Sequence, residues 1–277
     1  MGSVHSKDET VIAFDKTGEG PPLIMLDGAL CSRAMGPGVS LAAPLAEHFT
    51  VFTYDRRGRG DSGDAAPYAI ERELEDLEAL IEEAGGSAYV FGHSSGAALA
   101  LEAAARGSSI TKLALYEAPF VVDDSRPPVP DDIVAQFNEV LAADRRGDAV
   151  RLFMRQVGAP RIVIALMRFM PVWRKLEAVA HTLPYDMTIL AGHQAGNPLP
   201  AERWTAVTIP TLVVVGAKSP AWFHHSMHAL ARALPNASLR VADRQTHRVK
   251  AKLLAPQLAE FFTAADRAPS SELPAAA

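Results

Sequence analysis

The sequence predicts an α/β protein: a mostly parallel, doubly wound sheet with a helical cap inserted into it. Three observations predict it. Short apolar runs bounded by turn residues alternate with helix-length amphipathic stretches, as in strands joined by crossover helices. The turn Gly92-His93-Ser94-Ser95-Gly96 lies between an apolar run and a helix-forming run. From Asp131 to about Ala206 the alternation stops, and helical periodicity continues without a convincing strand.

Each element follows from its own pattern. Pro22 to Leu26 reads as a buried strand ending at Asp27-Gly28, and Phe49 to Tyr54 as the next, ending at Asp55. Glu71 to Ala84 reads as an amphipathic helix with Leu74, Leu77, Leu80 and Ile81 on one face and acids on the other. The apolar run Ser87 to Phe91 leads into the Gly92–Gly96 turn, and Ala97 to Ala105 into a helix. Ile110 to Tyr116 is a strand ending at Glu117-Ala118-Pro119. Val121 to Pro130, rich in Asp and Pro, reads as a linker. The sheet resumes at Thr211 to Gly216, followed by a helix from Ala221 to Leu234, a strand from Ser238 to Val241, a loop carrying His247, and a closing helix from Leu253 to Thr263. The expected organisation is a core over 1–122, a helical cap over 123–206, the second part of the core over 207–263, and a disordered tail over 264–277.

Composition narrows the class. The chain has 277 residues, 48% hydrophobic and 21% charged, with a formal net charge of −5, which is ordinary for a globular protein. Arg56-Arg57-Gly58-Arg59 is too short a basic run to suggest nucleic-acid binding. The single cysteine, Cys31, excludes an intrachain disulfide and a Cys-based zinc site, so no metal is expected. A cytoplasmic location fits that cysteine usage and the polar segment Met1 to Thr10, which has no apolar signal core. The longest greasy segment, Ile162 to Trp173, is interrupted by Arg168 and Pro171 and is too short to span a bilayer.

Strand, G-x-S-x-G, helix is the context of a nucleophile elbow. It presents Ser94 at a helix N-terminus, whose free N–H groups favour a developing negative charge. The arginine- and glycine-rich run Asp55 to Ser62 could be read as a phosphate loop, but no Gly-Lys-Ser/Thr follows it. Its arginines are expected to pair with Asp55, Asp61 or backbone carbonyls.

Taken together, Gly18-Glu19-Gly20-Pro21-Pro22 before the first buried strand, Asp55-Arg56-Arg57-Gly58-Arg59-Gly60-Asp61-Ser62, the elbow and a late histidine resemble the α/β-hydrolase superfamily over about residues 10–263. Asp27-Gly28-Ala29-Leu30-Cys31 further resembles an actinobacterial-type subgroup. The resemblance implies an α/β-hydrolase fold and a cofactor-free serine hydrolase. Ser94 would be the nucleophile, His247 its base, and the backbone N–H groups of Ala29 and Ser95 the oxyanion hole.

The acid departs from the pattern. Gly216-Ala217-Lys218-Ser219 stands where the family carries Gly-x-x-Asp, and a serine cannot replace the carboxylate. Glu117, at the end of the preceding strand, is the expected substitute, as in part of the haloalkane dehalogenase group. Asp123 or Asp124 is a second choice, and a site with no acid a third. Asp27, in place of the usual histidine, either holds its loop or brings negative charge toward the site. His93 is expected to point away from the site, while His181 and His193 could touch substrate. Phe153, Met154, Met167, Phe169, Met170 and Trp173 suggest an apolar cap pocket. The expected function is cleavage of an ester or related acyl bond of a hydrophobic small molecule through an acyl-enzyme. Carbon–carbon bond hydrolases, lyases and perhydrolases share that constellation. The alternative is a non-hydrolytic fold-mate, a cyclisation catalyst or binder. The small-molecule substrate is the expected partner, with no nucleic acid or membrane, and a homodimer is left open.

Overall fold

The computed structural model describes residues 1–265, so the tail expected to be disordered lies almost entirely outside the described residues. Eight strands form one sheet: β1 (Gly2–His5), β2 (Val11–Thr17), β3 (Pro22–Leu26), β4 (Thr50–Tyr54), β5 (Ala88–His93), β6 (Ile110–Tyr116), β7 (Thr211–Gly216) and β8 (Ala237–Ala242). Their spatial order is β1-β2-β4-β3-β5-β6-β7-β8. Only the β1–β2 and β2–β4 pairs are antiparallel. The other five ladders are parallel, as the crossover pattern predicts.

Strand periodicity sorts side chains to the two faces. Ile24 and Leu26, Leu113 and Leu115, and Val213 and Val215 join one apolar cluster. Their neighbours Leu23, Met25, Ala114, Tyr116, Leu212 and Val214 join the other. On the first face pack α2 (Ile70–Glu83), α3 (Ser95–Ala105) and α9 (Ala221–Ala233). On the second face α1 (Pro37–Leu45) and α10 (Ala251–Thr263) contribute Leu41, Leu45, Leu254, Leu258 and Phe262.

Between β6 and β7 run five α-helices, two short 3-10 turns and no strand: the α-helices are α4 (Ile133–Ala142), α5 (Arg146–Gln156), α6 (Arg161–Met167), α7 (Pro171–Val179) and α8 (Leu183–Leu190). Phe137, Val150, Trp173 and Leu183 bury their side chains in the cluster of the first sheet face, so this segment covers the side on which α3 packs.

Three elements went unread in the sequence. β1 and β2 form the antiparallel edge, and Val11-Ile12-Ala13-Phe14 was a legible signal for β2. α1 carries Pro37 at its start and Pro44 inside it, so its propensity argues against a helix. It forms because Leu41 and Leu45 are fully buried against the sheet. α2 also differs from its reading. Its leucines face the core, but Glu73 and Asp76 are buried with them, each held by an arginine.

Candidate active site

The elbow sits at the carboxyl end of β5, in the middle of the sheet. Ser94 has φ 58 and ψ −127, a strained conformation for a residue with a Cβ. Its N–H donates to the Tyr116 carbonyl at 2.9 Å, which ties the turn to β6. The glycines make room for the crossing. A Cβ on Gly96 would stand 2.2 Å from the Leu26 carbonyl oxygen, and one on Gly92 2.6 Å from the Ala97 Cα. Ser94 caps the N-terminus of α3 and reaches the cavity floor; Ser95, the first residue of α3, is buried.

Glu117 follows directly from β6 and is fully buried, with φ 49. Its carboxylate is saturated with donors. Oε1 accepts from the Gly216 N–H at 2.7 Å and the Ser219 hydroxyl at 2.5 Å, and Oε2 from His247 Nδ1 at 2.8 Å. Ser219 is thus a hydrogen-bond donor to the Glu117 carboxylate. Because Oε2 is an acceptor, Nδ1 of His247 carries the proton, which leaves Nε2 as the basic nitrogen. Asp123 is elsewhere, accepting from Ser125 and contacting His225 at 2.6 Å. Neither Asp123 nor Asp124 has a contact to His247.

The histidine loop is fastened at several points. The Tyr116 hydroxyl donates to the Thr246 carbonyl at 2.7 Å. Gln245 bonds Lys250 through both ends of its amide, at 2.9 and 2.8 Å. His93 contributes here, contrary to expectation. It does not line the cavity, but it turns toward the histidine loop: Nε2 donates to the His247 carbonyl at 3.0 Å, and the two rings lie 4.8 Å apart. Burial pushes the His93 pKa down to about 3, helped by the neighbouring His247, so the ring is neutral. On the other side of His247 the Phe223 ring stacks at 4.7 Å and 14°, and Trp222 stacks on Phe223 at 3.6 Å.

The loop after β3 closes over Ser94. A Cβ on Gly28 would fall 2.8 Å from the Ser94 Cβ. The N–H groups of Ala29 and Ser95 have no intramolecular acceptor among the described residues, and both residues line the cavity with Ser94 and His247. Asp27 does not line it; its carboxylate accepts from the Gly38 N–H at 3.0 and 3.1 Å and so holds the loop. Burial and the Asp27 charge push the Cys31 thiol up to about 12, away from the reactive thiolate form.

Beneath this loop lies a buried ion cluster that sequence reasoning missed. Asp186 of α8 is fully buried and accepts from Arg56, Arg59 and the Ser95 hydroxyl, each at 2.7 Å. Burial opposes its ionisation, but Arg59 and Arg56 hold its carboxyl below the ordinary range. Arg56 also forks onto Glu73 at 2.6 and 2.6 Å, and Arg57 onto Asp76 at 2.8 and 2.7 Å. The expected pairing of Arg57 or Arg59 with Asp55 and Asp61 is incorrect. Arg33 holds both of those acids, at 2.9 and 2.6 Å, because the strand exit turns Arg57 and Arg59 inward. Backbone carbonyls are used as expected: Arg57 donates to Arg72 O at 3.0 Å and Arg59 to Gly28 O at 2.7 Å. Gly28 C=O and Ala29 N–H belong to one planar trans peptide and point in opposite directions. Arg59 therefore fixes the direction of the Ala29 N–H.

The cavity measures about 240 Å³, the liquid volume of about eight waters at ~30 Å³ each. Of the six cap side chains expected to line it, only Phe153 does. Phe169 and Met170 are exposed, Trp173 is buried with its indole N–H on Glu177 at 2.7 Å, and Met154 and Met167 pack on the core. Val157, Met187, Leu190, Trp222 and Phe223 supply the apolar wall instead. His181 and His193 do not line the cavity; His193 packs against Phe120 and Trp204. Among the described residues no cluster of His, Cys, Asp and Glu could hold a metal ion, and no helix is long and apolar enough to cross a membrane.

Known proteins share this fold. An α/β-hydrolase of Sphaerobacter thermophilus is 52% identical, with a TM-score of 0.88, over 95% of this chain and 100% of that one. An enol-lactonase of Burkholderia xenovorans matches with a TM-score of 0.70 at 20% identity, over 95% and 100% of the two chains. A thermophilic esterase of Thermogutta terrifontis matches with a TM-score of 0.63 at 23% identity, over 94% and 95%. At those two identities the likeness is one of fold. The family model described as "Alpha/beta hydrolase family" matches residues 31–258. With most of its length matched, the chain belongs to the alpha/beta hydrolase family.

Proposed function

We propose that the protein is a serine hydrolase that cleaves an ester or related acyl bond of a small, largely apolar molecule through an acyl-enzyme. The observation that carries this reading is the 2.8 Å contact of His247 Nδ1 with the buried Glu117 carboxylate, in a cavity that His247 shares with Ser94. A serine hydroxyl needs a base, and the base needs a carboxylate to fix its tautomer and stabilise the imidazolium.

The proposed steps use these groups in turn. Ser94 Oγ attacks the acyl carbon, and its proton passes to His247 Nε2. The oxyanion that forms is held by the N–H groups of Ala29 and Ser95, the latter at the positive end of α3. The tetrahedral intermediate collapses, the acyl–oxygen bond breaks, and His247 returns its proton to the leaving alkoxide. Water, deprotonated by His247, then attacks the acyl carbon; the acyl–Ser94 bond breaks, His247 returns the proton to Ser94 Oγ, and the acyl group leaves as a carboxylic acid. Arg59 acts as a positioning residue through the Gly28–Ala29 peptide. The non-hydrolytic alternative was motivated by the missing Gly-x-x-Asp. Glu117 supplies a carboxylate at the same ring, which supports the hydrolase reading.

Hydrolysis of p-nitrophenyl esters of graded acyl length tests it. The expected result is a kcat/KM that varies with acyl length and a kcat reduced by roughly 10⁴-fold in Ser94→Ala. Undiminished turnover in Ser94→Ala would overturn the serine mechanism, and a flat series would overturn the apolar pocket.

A further inference from the structure

One cation in the cavity has no part in the acyl transfer. Arg126 stands between β6 and α4 and lines the same cavity as Ser94 and His247. Its guanidinium carbon lies 4.4 Å from the centroid of the Trp222 ring, and its Nη2 donates to the Gln156 carbonyl. Among the described residues no carboxylate pairs with it. Of the two acids just before it in its own segment, Asp123 is taken by Ser125 and His225, and Asp124 is exposed with no ion pair to Arg126. Burial without a counter-charge lowers its pKa from the ordinary value, though a guanidinium remains charged at any working pH.

A desolvated charge without an anion is unfavourable in an apolar pocket. Stacking on Trp222 occupies a face of the guanidinium, and Gln156 takes one of its five N–H donors, so an edge of the fork remains. That edge matches a carboxylate, which can accept two parallel N–H bonds. Gln194, which also lines the cavity, donates its amide to the Pro119 carbonyl at 2.8 Å. The outer side of the cap has the same sign of charge. Arg151, Arg155, Arg161 and Arg168 line a shallow cleft there, and α5 carries both Arg155 and the cavity residues Phe153 and Gln156. Arg151 is paired with Asp148, while Arg155, Arg161 and Arg168 have no ion pair among the described residues, so the cleft keeps a positive field that draws anions.

We propose that Arg126 is an anion subsite and that the substrate is a carboxylate-bearing ester, anchored at the Arg126 edge while Ser94 attacks its acyl carbon. The inference rests on the serine-hydrolase reading. It also modifies the expected substrate: apolar along its length, but ionised at one point.

Two matched pairs of esters test it. 4-Nitrophenyl hydrogen adipate against 4-nitrophenyl hexanoate puts the charge on the acyl side. 4-Acetoxybenzoate against 4-acetoxybenzamide puts it on the alcohol side. The wild-type protein should prefer the anionic member of at least one pair by about tenfold or more in kcat/KM, chiefly through KM. Arg126→Gln should abolish that ratio, and Arg126→Lys should restore part of it. Ester turnover with the same ratio in Arg126→Gln and wild type would overturn the subsite and leave the hydrolase reading intact. If no ester is turned over, the hydrolase reading fails, and calorimetric titration with adipate decides the subsite alone. Binding to the wild type that is lost in Arg126→Gln supports it, and equal or absent binding refutes it.

Discussion

The cavity has two unlike walls. On the sheet side, Ser94, Glu117 and His247 are fixed by the backbone and by short hydrogen bonds: a strained elbow, a carboxylate with three donors, and a loop tied to Tyr116, His93 and Gln245. On the helical side, Phe153, Val157, Met187 and Leu190 present apolar surface with no directional bond between them. The first wall has one arrangement in which its polar groups are satisfied. The second can be refilled by side chains of similar volume. In the proposed reading, chemistry rests on the over-determined wall, and selection of substrate shape on the adaptable one.

Changes on the first wall should be the most damaging. Glu117→Gln keeps the volume but removes the charge that holds the His247 tautomer, and should lower kcat by about 10³–10⁴-fold. Steady-state ester kinetics, with circular dichroism to verify folding, measure this. Ser219→Ala removes only one of the three donors to Glu117 and should lower kcat by about tenfold or less. Equal losses for the two variants would show that the carboxylate is not the orienting group.

Asp186→Ala tests whether the sheet-side wall depends on the ions beneath it. It leaves Arg56 and Arg59 without a shared acceptor and frees the Ser95 hydroxyl. Loss of one partner from a buried pair costs about 3–5 kcal/mol, so urea unfolding should shift by that amount. A shift below about 1 kcal/mol would contradict a structural role for the cluster.

The second wall should respond more gently. Phe153→Ala and Met187→Ala should each change kcat/KM by about tenfold, mainly by moving the preferred acyl length, with kcat for the best ester retained. A uniform fall across the acyl series would mean that these side chains belong to the chemistry.

The smallest effect is on acid stability. Burial holds the His93 pKa at about 3 and that of His193 at about 4. In the unfolded chain each takes up a proton near about 6.5. Below that pH the unfolded state binds more protons, so stability present above about 6.5 is lost progressively as pH falls toward 3. His93→Asn should flatten the fall of Tm between pH 6.5 and 4, whatever it does to Tm at pH 7.5. An unchanged slope would show that His93 does not titrate differently on folding.

Much of the sheet-side wall was legible in the sequence because its signals are local. The elbow is five consecutive residues, and Glu117 stood out because a carboxylate ending a buried strand needs a partner, which the structure supplies as the His247 ring at 2.8 Å. Residues joined across long separations were not legible. Arg59 and Asp186 are 127 positions apart, and the three arginines after β4 gave no hint of which acids would face them. The helical wall was misread for a related reason. Aromatic and methionine content shows that a segment packs, but which side chains face inward is set by helix rotation, and that placed Met187 and Leu190 at the cavity and Phe169 in solvent.

The central claim is that Ser94 is an activated nucleophile, its base oriented by Glu117. Intact-mass and peptide-mapped labelling with a fluorophosphonate probe tests it most directly. The account predicts one adduct, on Ser94, with none in Ser94→Ala and labelling slowed by at least about 10²-fold in Glu117→Gln. A folded wild-type protein that takes up no label at Ser94, or labelling at an undiminished rate in Glu117→Gln, would contradict it.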